Sequence, residues 1–398
     1  MVYRPDYINK LLKYRDVPVV KILSGIRRCG KSTLLEMYKQ TLISLGVPQS
    51  AIIERQYAVL TVGSEIKPDE MFKDLSNALQ NGGRYFLLDE VQEVDGWEKA
   101  INALNETGAA DIYVTGSNSR LMAGEISTYL TGRYVQIPVF TLSFGEYIEF
   151  KKSSGKTHGE LLNEYIRFGG FPIIALNEFD TETVYQIAEG IYSSIVAGDI
   201  CRRHKINDQE LFERVALYIT ENVGETFSAN SVCNFLKSER RGINTEAIYN
   251  YIKWLEQAFV VYRCPRFDLQ GKSALKTQEK FFVADNALMF CARGFDPRSI
   301  ASIMENIVFF ELKRRGYEVY VGKNGTKEID FVCMRADSRL YIQVTRTLPE
   351  NSDREEANLL EIKDNYPKFI VTLDEYATGT IRGIEVIHLK DFLLSDKF

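Results

Sequence analysis

Val17-Pro-Val-Val-Lys-Ile-Leu-Ser24-Gly25-Ile-Arg-Arg-Cys-Gly30-Lys31-Ser32-Thr-Leu-Leu-Glu-Met37 is the stretch that decides how this chain folds. Val17 to Leu23 is rich in β-branched and aliphatic residues, the composition of a buried parallel strand. From Ser32 the pattern turns helical, with Leu34, Leu35 and Met37 supplying apolar positions. Between the two lies Gly25 to Ser32, the GxxxxGK[ST] spacing of a Walker A loop. Glycine lets such a loop curl until successive N–H groups point inward at an anion. The following helix adds its unpaired N–H groups and the positive end of its dipole. Gly25, Arg28, Cys29, Gly30, Lys31, Ser32 and Thr33 then form the phosphate-binding set. Lys31 reaches the β- and γ-phosphates, and the Ser32 hydroxyl ligates Mg²⁺. The bland alternative is a Gly-rich turn that binds nothing; the strand before it and the helix after it speak against that.

A second signal is expected on a neighbouring strand. Tyr85-Phe-Leu-Leu-Asp89-Glu90 is an apolar run ending in two carboxylates, the form of a Walker B strand. Asp89 is placed to hold Mg²⁺, directly or through water. Glu90 is placed to act as the general base on the attacking water, which implies ATP hydrolysis. A strand ending in a solvated acidic turn is the alternative. Asp111-Ile-Tyr-Val-Thr115-Gly-Ser117-Asn118 is a further strand ending in small polar residues. Ser117 and Asn118 are candidates to orient the water, with a plain turn as the rival reading. Leu130-Thr-Gly132-Arg133 leads into a fifth strand, where Arg133 is either an arginine finger for a neighbouring subunit or a surface arginine.

GIRRCGKST, FLLDEVQEVDGWE, VTGSNS, LTGRYVQIPV, LSFGEY (142–147) and YIRFGGFP (165–172) together resemble one lineage of prokaryotic AAA+-type ATPases. The resemblance covers essentially the whole chain. It implies an α/β P-loop NTPase with a five-stranded parallel core over 1–155 and a helical lid over 156–215. A winged helix over 216–280 and a nuclease-like α/β domain over 281–398 complete the implied order. Ring-forming relatives of this type imply a homo-oligomer.

The bulk of the chain agrees with such an organisation. At 398 residues it is too long for one ordinary core. Hydrophobic residues are 45% and charged residues 26%, as in folded water-soluble proteins. No apolar run reaches the roughly 18 residues that cross a bilayer, and the N-terminal MVYRPDYINKLLKYRD lacks a signal-peptide core. The expectation is therefore no membrane and a cytoplasmic location. The six cysteines form no CxxC pair and the three histidines no metal-ligand pair, which fits reduced thiols.

Past the ATPase core, helices are expected over Gly159 to Arg167, Asp180 to Val196, and from Asp208, with a turn at Gly169-Gly170-Phe171-Pro172. Arg202 or Arg203 is a candidate γ-phosphate sensor, or else a complement to a helix C-terminus. Ser228 and Asn244 read as N-caps of two helices, followed by a strand from Phe259: winged-helix order, with Asn244 to Gln257 in the recognition position. Residues 228–280 hold nine Lys or Arg against five Asp or Glu, a net of +4, so the rest of this −5 chain carries −9. That contrast points to double-stranded DNA, contacted through Lys237, Arg240, Arg241 and Lys253. The alternative is a winged helix that packs only against its own ATPase.

From Lys280 onward, a helix (Ser302 to Arg315) and strands at Tyr317, Glu328 and Leu340 resemble the PD-(D/E)xK nuclease fold. Asp330 keeps its place there and Glu305 can supply a helix carboxylate. Gln343 stands where an acid belongs and Thr345 where lysine belongs, so the fold is retained and cleavage lost. The leading reading is a Mg²⁺-dependent ATPase switch acting on DNA or a protein partner, with an inactive nuclease-like module. The alternatives are an ATP-gated metal-dependent nuclease, and an interaction protein that binds nucleotide with little turnover.

Overall fold

The apolar stretch ahead of the phosphate loop forms strand β1 (Val20–Ser24), every residue of which is buried. The computed structural model describes residues 2–61, 65–118, 130, 132–204, 206, 208–238, 242–271, 273–291, 294–348 and 354–397. Arg240 and Arg241 lie outside them. The chain divides into two compact units, 1–141 with 257–259, and 142–256 with 260–398.

In the first unit, α1 (Pro5–Lys13) precedes β1, and α2 (Lys31–Ser44) follows the loop. Then come β2 (Ile52–Gln56), α3 (Pro68–Gln80), β3 (Tyr85–Asp89), α4 (Trp97–Glu106), β4 (Asp111–Gly116) and β5 (Tyr134–Pro138). The five strands form one parallel sheet in the order β2-β3-β4-β1-β5. Parallel strands need long crossovers, and helices supply them. Val20, Ile22, Phe86, Leu88, Ile112 and Val114 of the sheet pack against Leu75 of α3 and Ile101 and Leu104 of α4. Because every strand runs the same way, the C-terminal ends of β1, β3 and β4 share one edge, where ligands of open α/β sheets bind. Near the opposite edge, fully buried Lys21 donates to Asp111, which also accepts from the Tyr113 hydroxyl at 3.0 Å. Removing either member of that ion pair would strand a buried charge.

The second unit opens with α5 (Phe144–Phe150), α6 (His158–Phe168) and α7 (Thr181–Ser194), the last continuing as a π-helical segment, Ile195–Cys201. Ser143 and Thr157 are N-caps in reciprocal boxes with Glu146 and Glu160. Next are α8 (Gln209–Glu221), α9 (Ala229–Ser238), α10 (Thr245–Gln257), β6 (Val261–Asp268) and β7 (Ser273–Val283). Ser228 and Asn244 accept from Ser231 N–H at 3.3 Å and Ala247 N–H at 2.8 Å, capping as their sequence positions suggested. The remainder is α11 (Ile300–Arg314), β8 (Glu318–Asn324), β9 (Lys327–Arg335), β10 (Ser338–Thr345), α12 (Arg354–Leu360), β11 (Lys368–Thr372), β12 (Gly379–Ile381), β13 (Ile384–His388) and α13 (Leu389–Leu394).

A single eight-stranded mixed sheet, β12-β13-β11-β10-β9-β8-β6-β7, runs through this unit. The β6–β7 hairpin is antiparallel, and β6 also pairs in parallel with β8 through Arg266 and Val321. The border expected at 280/281 therefore falls inside β7, in a sheet built from both sides of it. The glycine pair of YIRFGGFP has a local reason. Gly170 N–H donates to Asp285 Oδ2 at 2.8 Å, and a Cβ on Gly169 (φ 73°) would stand 1.8 Å from Asp285 Oδ1. No described helix is long and apolar enough to cross a membrane.

Candidate nucleotide-binding site

The loop after β1 is shaped by its backbone. Gly30, at φ 102°, caps α2, and Arg28 also sits at positive φ, 67°. Left-handed residues alternating with ordinary ones make a concavity of N–H groups suited to phosphate oxygens. Gly25 passes so close to the chain after β5 that a Cβ there would lie 2.0 Å from the Val139 carbonyl oxygen. Cys29 is fully buried, its carbonyl accepts from the buried Arg4 guanidinium at 3.0 Å, and burial pushes its thiol up. Arg4 donates also to the Phe140 carbonyl at 3.2 Å and stacks over Tyr7. The residues just before and within α1 thus brace the loop from behind.

The functional side chains converge above it. Lys31 is buried, donates to the Gly25 and Ile26 carbonyls at 3.0 and 3.1 Å, and lies 3.9 Å from Glu90 Oε1. Ser32 Oγ donates to Asp89 Oδ1 at 3.1 Å, and Thr115 Oγ1 donates to the same oxygen at 2.5 Å. Thr115 Oγ1 also accepts from Glu90 N–H at 2.9 Å, joining the ends of β3 and β4. Burial pushes the Asp89 carboxyl up, against the two hydroxyl donors that lower it. Glu90 itself is held at φ 52°, a left-handed conformation costly outside glycine, which turns the chain sharply after the strand.

The sequence reading brought Lys31, Ser32, Asp89 and Glu90 together, and so does the fold. It missed Thr115, Gln92 and Arg4. Gln92 donates from Nε2 to Glu90 Oε2 and lies 3.5 Å from Ser117 Oγ. Its buried Oε1 has no partner among the described residues. Asn118 is buried to 1% exposure beside Ser117. Arg133, half exposed at 52%, pairs with Glu106 at 3.3 Å. Thr33 is exposed in the first turn of α2.

These residues fit a nucleotide with Mg²⁺. Ser32 and Asp89 offer hard oxygen donors side by side, the kind of set that small divalent ions take together with phosphate oxygens. The exposed Ser32 hydroxyl faces a loop whose backbone is already bent for anions.

In the second unit, of the residues likened to a nuclease centre, Asp330 and Gln343 touch. Asp330 on β9 is buried and accepts from Val344 N–H at 2.8 Å. Gln343 Oε1 takes only a long bond, 3.4 Å, from the Asp330 N–H, and Thr345 Oγ1 donates to the Thr347 carbonyl at 3.0 Å. Glu305 on α11 pairs at 3.1 Å with a residue the sequence reading passed over, Lys280 of β7.

Comparison with known proteins supports a P-loop ATPase fold for the first unit. Residues 18–148 match a family described as AAA domain, and residues 159–299 one described as Domain of unknown function (DUF8612). An uncharacterized protein of Haemophilus influenzae is 39% identical over 99% of this chain and 99% of its own. An uncharacterized protein of Methanocaldococcus jannaschii is 29% identical over 90% of this chain and 82% of its own. Among solved structures, a Walker-type ATPase of Pyrococcus abyssi aligns over 74% of this chain and 96% of its own, with TM-score 0.53 and 14% identity. That last likeness is one of fold.

Proposed function

Because this chain belongs to the family of the Haemophilus influenzae protein and carries an AAA-type P-loop ATPase domain, we propose that it hydrolyses ATP with Mg²⁺ as a conformational switch. The observation that carries this is the meeting of Lys31, Ser32, Asp89 and Glu90 at one sheet edge, locked by Thr115. In this reading Lys31 leaves its own loop carbonyls for the β- and γ-phosphates. Ser32 and Asp89 hold Mg²⁺, which neutralises developing phosphate charge when bound. Glu90 accepts a proton from the attacking water, and Gln92 holds the Glu90 carboxylate in place. Asn118 is retained as the polar residue near that water, and Arg133 as a finger supplied to a neighbouring copy.

For the second unit, residues 156–215 are read as a lid, 216–280 as a winged helix, and 281–398 as an inactive nuclease-like module. The favoured partner is double-stranded DNA, since Lys237 and Lys253 are exposed on α9 and α10, near the exposed rings of Phe235 and Tyr249. Gln343 and Thr345 speak against an ATP-gated nuclease, and intact Lys31, Asp89 and Glu90 against a silent nucleotide binder.

ATP hydrolysis should be measured with and without double-stranded DNA, beside the native mass. Turnover that DNA raises severalfold and Lys31→Ala abolishes is the expected result. Micromolar ATP binding retained in Lys31→Ala would overturn the site. Turnover indifferent to DNA, with no DNA retained at low salt, would shift the partner from DNA to protein.

A further inference from the structure

The Lys280 side chain is 5% exposed, and its ammonium lies 3.1 Å from Glu305 and 2.9 Å from Glu328. The charge of Asp330 acts on it as well. These acids come from α11 and β9, while the lysine comes from β7. Burying an ammonium is costly unless paired charges repay it. Burial opposes the Lys280 charge, yet Glu305, Asp330 and Glu328 outweigh it and hold the ammonium above the usual lysine range.

Seen from the acids, the demand is reciprocal. Asp330 is buried and Glu305 partly so; desolvation pushes each carboxyl up, and the Glu305 charge raises Asp330 further. Carboxylates gathered this tightly repel unless a cation sits among them. An oxygen-rich cluster commonly recruits a divalent ion, at about 2.0–2.6 Å from its ligands. Here the contact from Glu328 to nitrogen, 2.9 Å, has the length of a charge-assisted hydrogen bond, and that from Glu305 is 0.2 Å longer. Arg266, itself buried, pairs with Glu328 too. Asp330 Oδ2 is already committed to Val344 N–H. Among the described residues no group of three His, Cys, Asp or Glu is arranged to hold a metal.

The lysine cannot easily swing away. Lys280 pairs with Cys264 across the β6–β7 hairpin and bridges Thr226 on its other side, and Phe227 N–H donates to the Glu279 carbonyl at 2.9 Å. A tethered cation on a fixed strand competes at a high effective concentration against any free ion.

We propose that Lys280 is the resident cation of the C-terminal module, held between Glu305 and Glu328 and so excluding a divalent metal from them. The acids survive because the fold supplies their counter-ion covalently. The cluster then serves as a clasp between the β7 hairpin and the α11–β9 layer. Its loss of metal chemistry has a positive cause in addition to Gln343 and Thr345. This inference does not depend on nucleotide hydrolysis by the first unit.

Mn²⁺ binding to the nucleotide-free full chain, followed by electron paramagnetic resonance, tests it. Lys280→Met should gain one Mn²⁺ site, at least tenfold tighter than any in the wild type, and Glu305→Gln added to it should remove that site. Lys280→Arg, which keeps a cation, should gain none. A folded Lys280→Met chain with no Glu305-dependent site would overturn the proposal. Should Lys280→Met be too unstable to purify, the wild type still decides. Its Mn²⁺ titration should be unchanged by Glu305→Gln, and a wild-type site lost in Glu305→Gln would show that lysine does not exclude metal.

Discussion

Glu90 has both carboxylate oxygens engaged, Oε1 near the Lys31 ammonium and Oε2 under the Gln92 amide. Such contacts fix where the proposed base points, on a backbone held at a left-handed φ. Glu90→Gln keeps the size of the side chain and removes only the proton acceptor. It should lower kcat by about 10²–10⁴-fold and leave the Kd for ATP within twofold. Gln92→Ala should lower kcat less, by about tenfold, the worth of one well-placed hydrogen bond of ~1.4 kcal/mol. Steady-state turnover with calorimetric binding separates the two, and Gln92→Ala turning over at the wild-type rate would remove Gln92 from the positioning role. The difference in legibility between these neighbours is physical. Lys31 and Ser32 are recognisable because a phosphate cradle needs them at fixed spacing from Gly25 and Gly30. Thr115 looks like any β-branched strand residue, and Gln92 like any turn residue, until β3 and β4 are seen side by side. Arg4 lies 25 residues before the carbonyl it braces, with no local pattern to betray it.

At the scale of elements, the strand–loop–helix unit stands or falls with a close approach of backbone to backbone. Val139 N–H donates to the Ser24 carbonyl at 2.7 Å, which pins the chain after β5 beneath the loop. Gly25→Ala would push a methyl into the Val139 carbonyl, a group without freedom to retreat. Overpacking of this kind costs about 1–3 kcal/mol, and the displaced loop should lose at least tenfold in ATP affinity. Gly46→Ala is the control, since φ there is 87° with nothing within 4 Å of the added methyl. It should cost about 1 kcal/mol for the backbone alone and leave ATP binding unchanged. Thermal melts and nucleotide titrations of both variants check this; equal ATP affinities would mean the loop does not depend on that approach. Elements like β1, α2, β3 and α6 were legible because apolar spacing alone defines them. The pairing of β6 with β8 was not, because a strand's own residues do not say which edge it joins. Nor was the π-helical segment Ile195–Cys201, whose residues read as a plain continuation of α7.

At the scale of the whole molecule, the question is whether one chain completes a site. Arg133 follows Gly132 and stands immediately before β5, and its only engagement of charge among the described residues is the exposed pair with Glu106. Surface pairs of this kind hold a side chain by about 0–1 kcal/mol, so Arg133 is readily released to a stronger anion. Within a closed ring each subunit would lend its arginine to the next subunit's γ-phosphate. Arg133→Ala should then silence the neighbouring site while leaving its own Lys31, Asp89 and Glu90 intact, and Glu90→Gln should do the reverse. Mixed one to one, the two inactive chains form some interfaces that pair an intact Glu90 with an intact Arg133. Random assembly makes about one interface in four of that kind, so roughly a quarter of wild-type turnover should return, at concentrations where native mass shows an oligomer. Turnover that stays at background in such mixed oligomers would return Arg133 to the role of an ordinary surface residue. Full activity in Arg133→Ala alone would do the same without the mixing experiment.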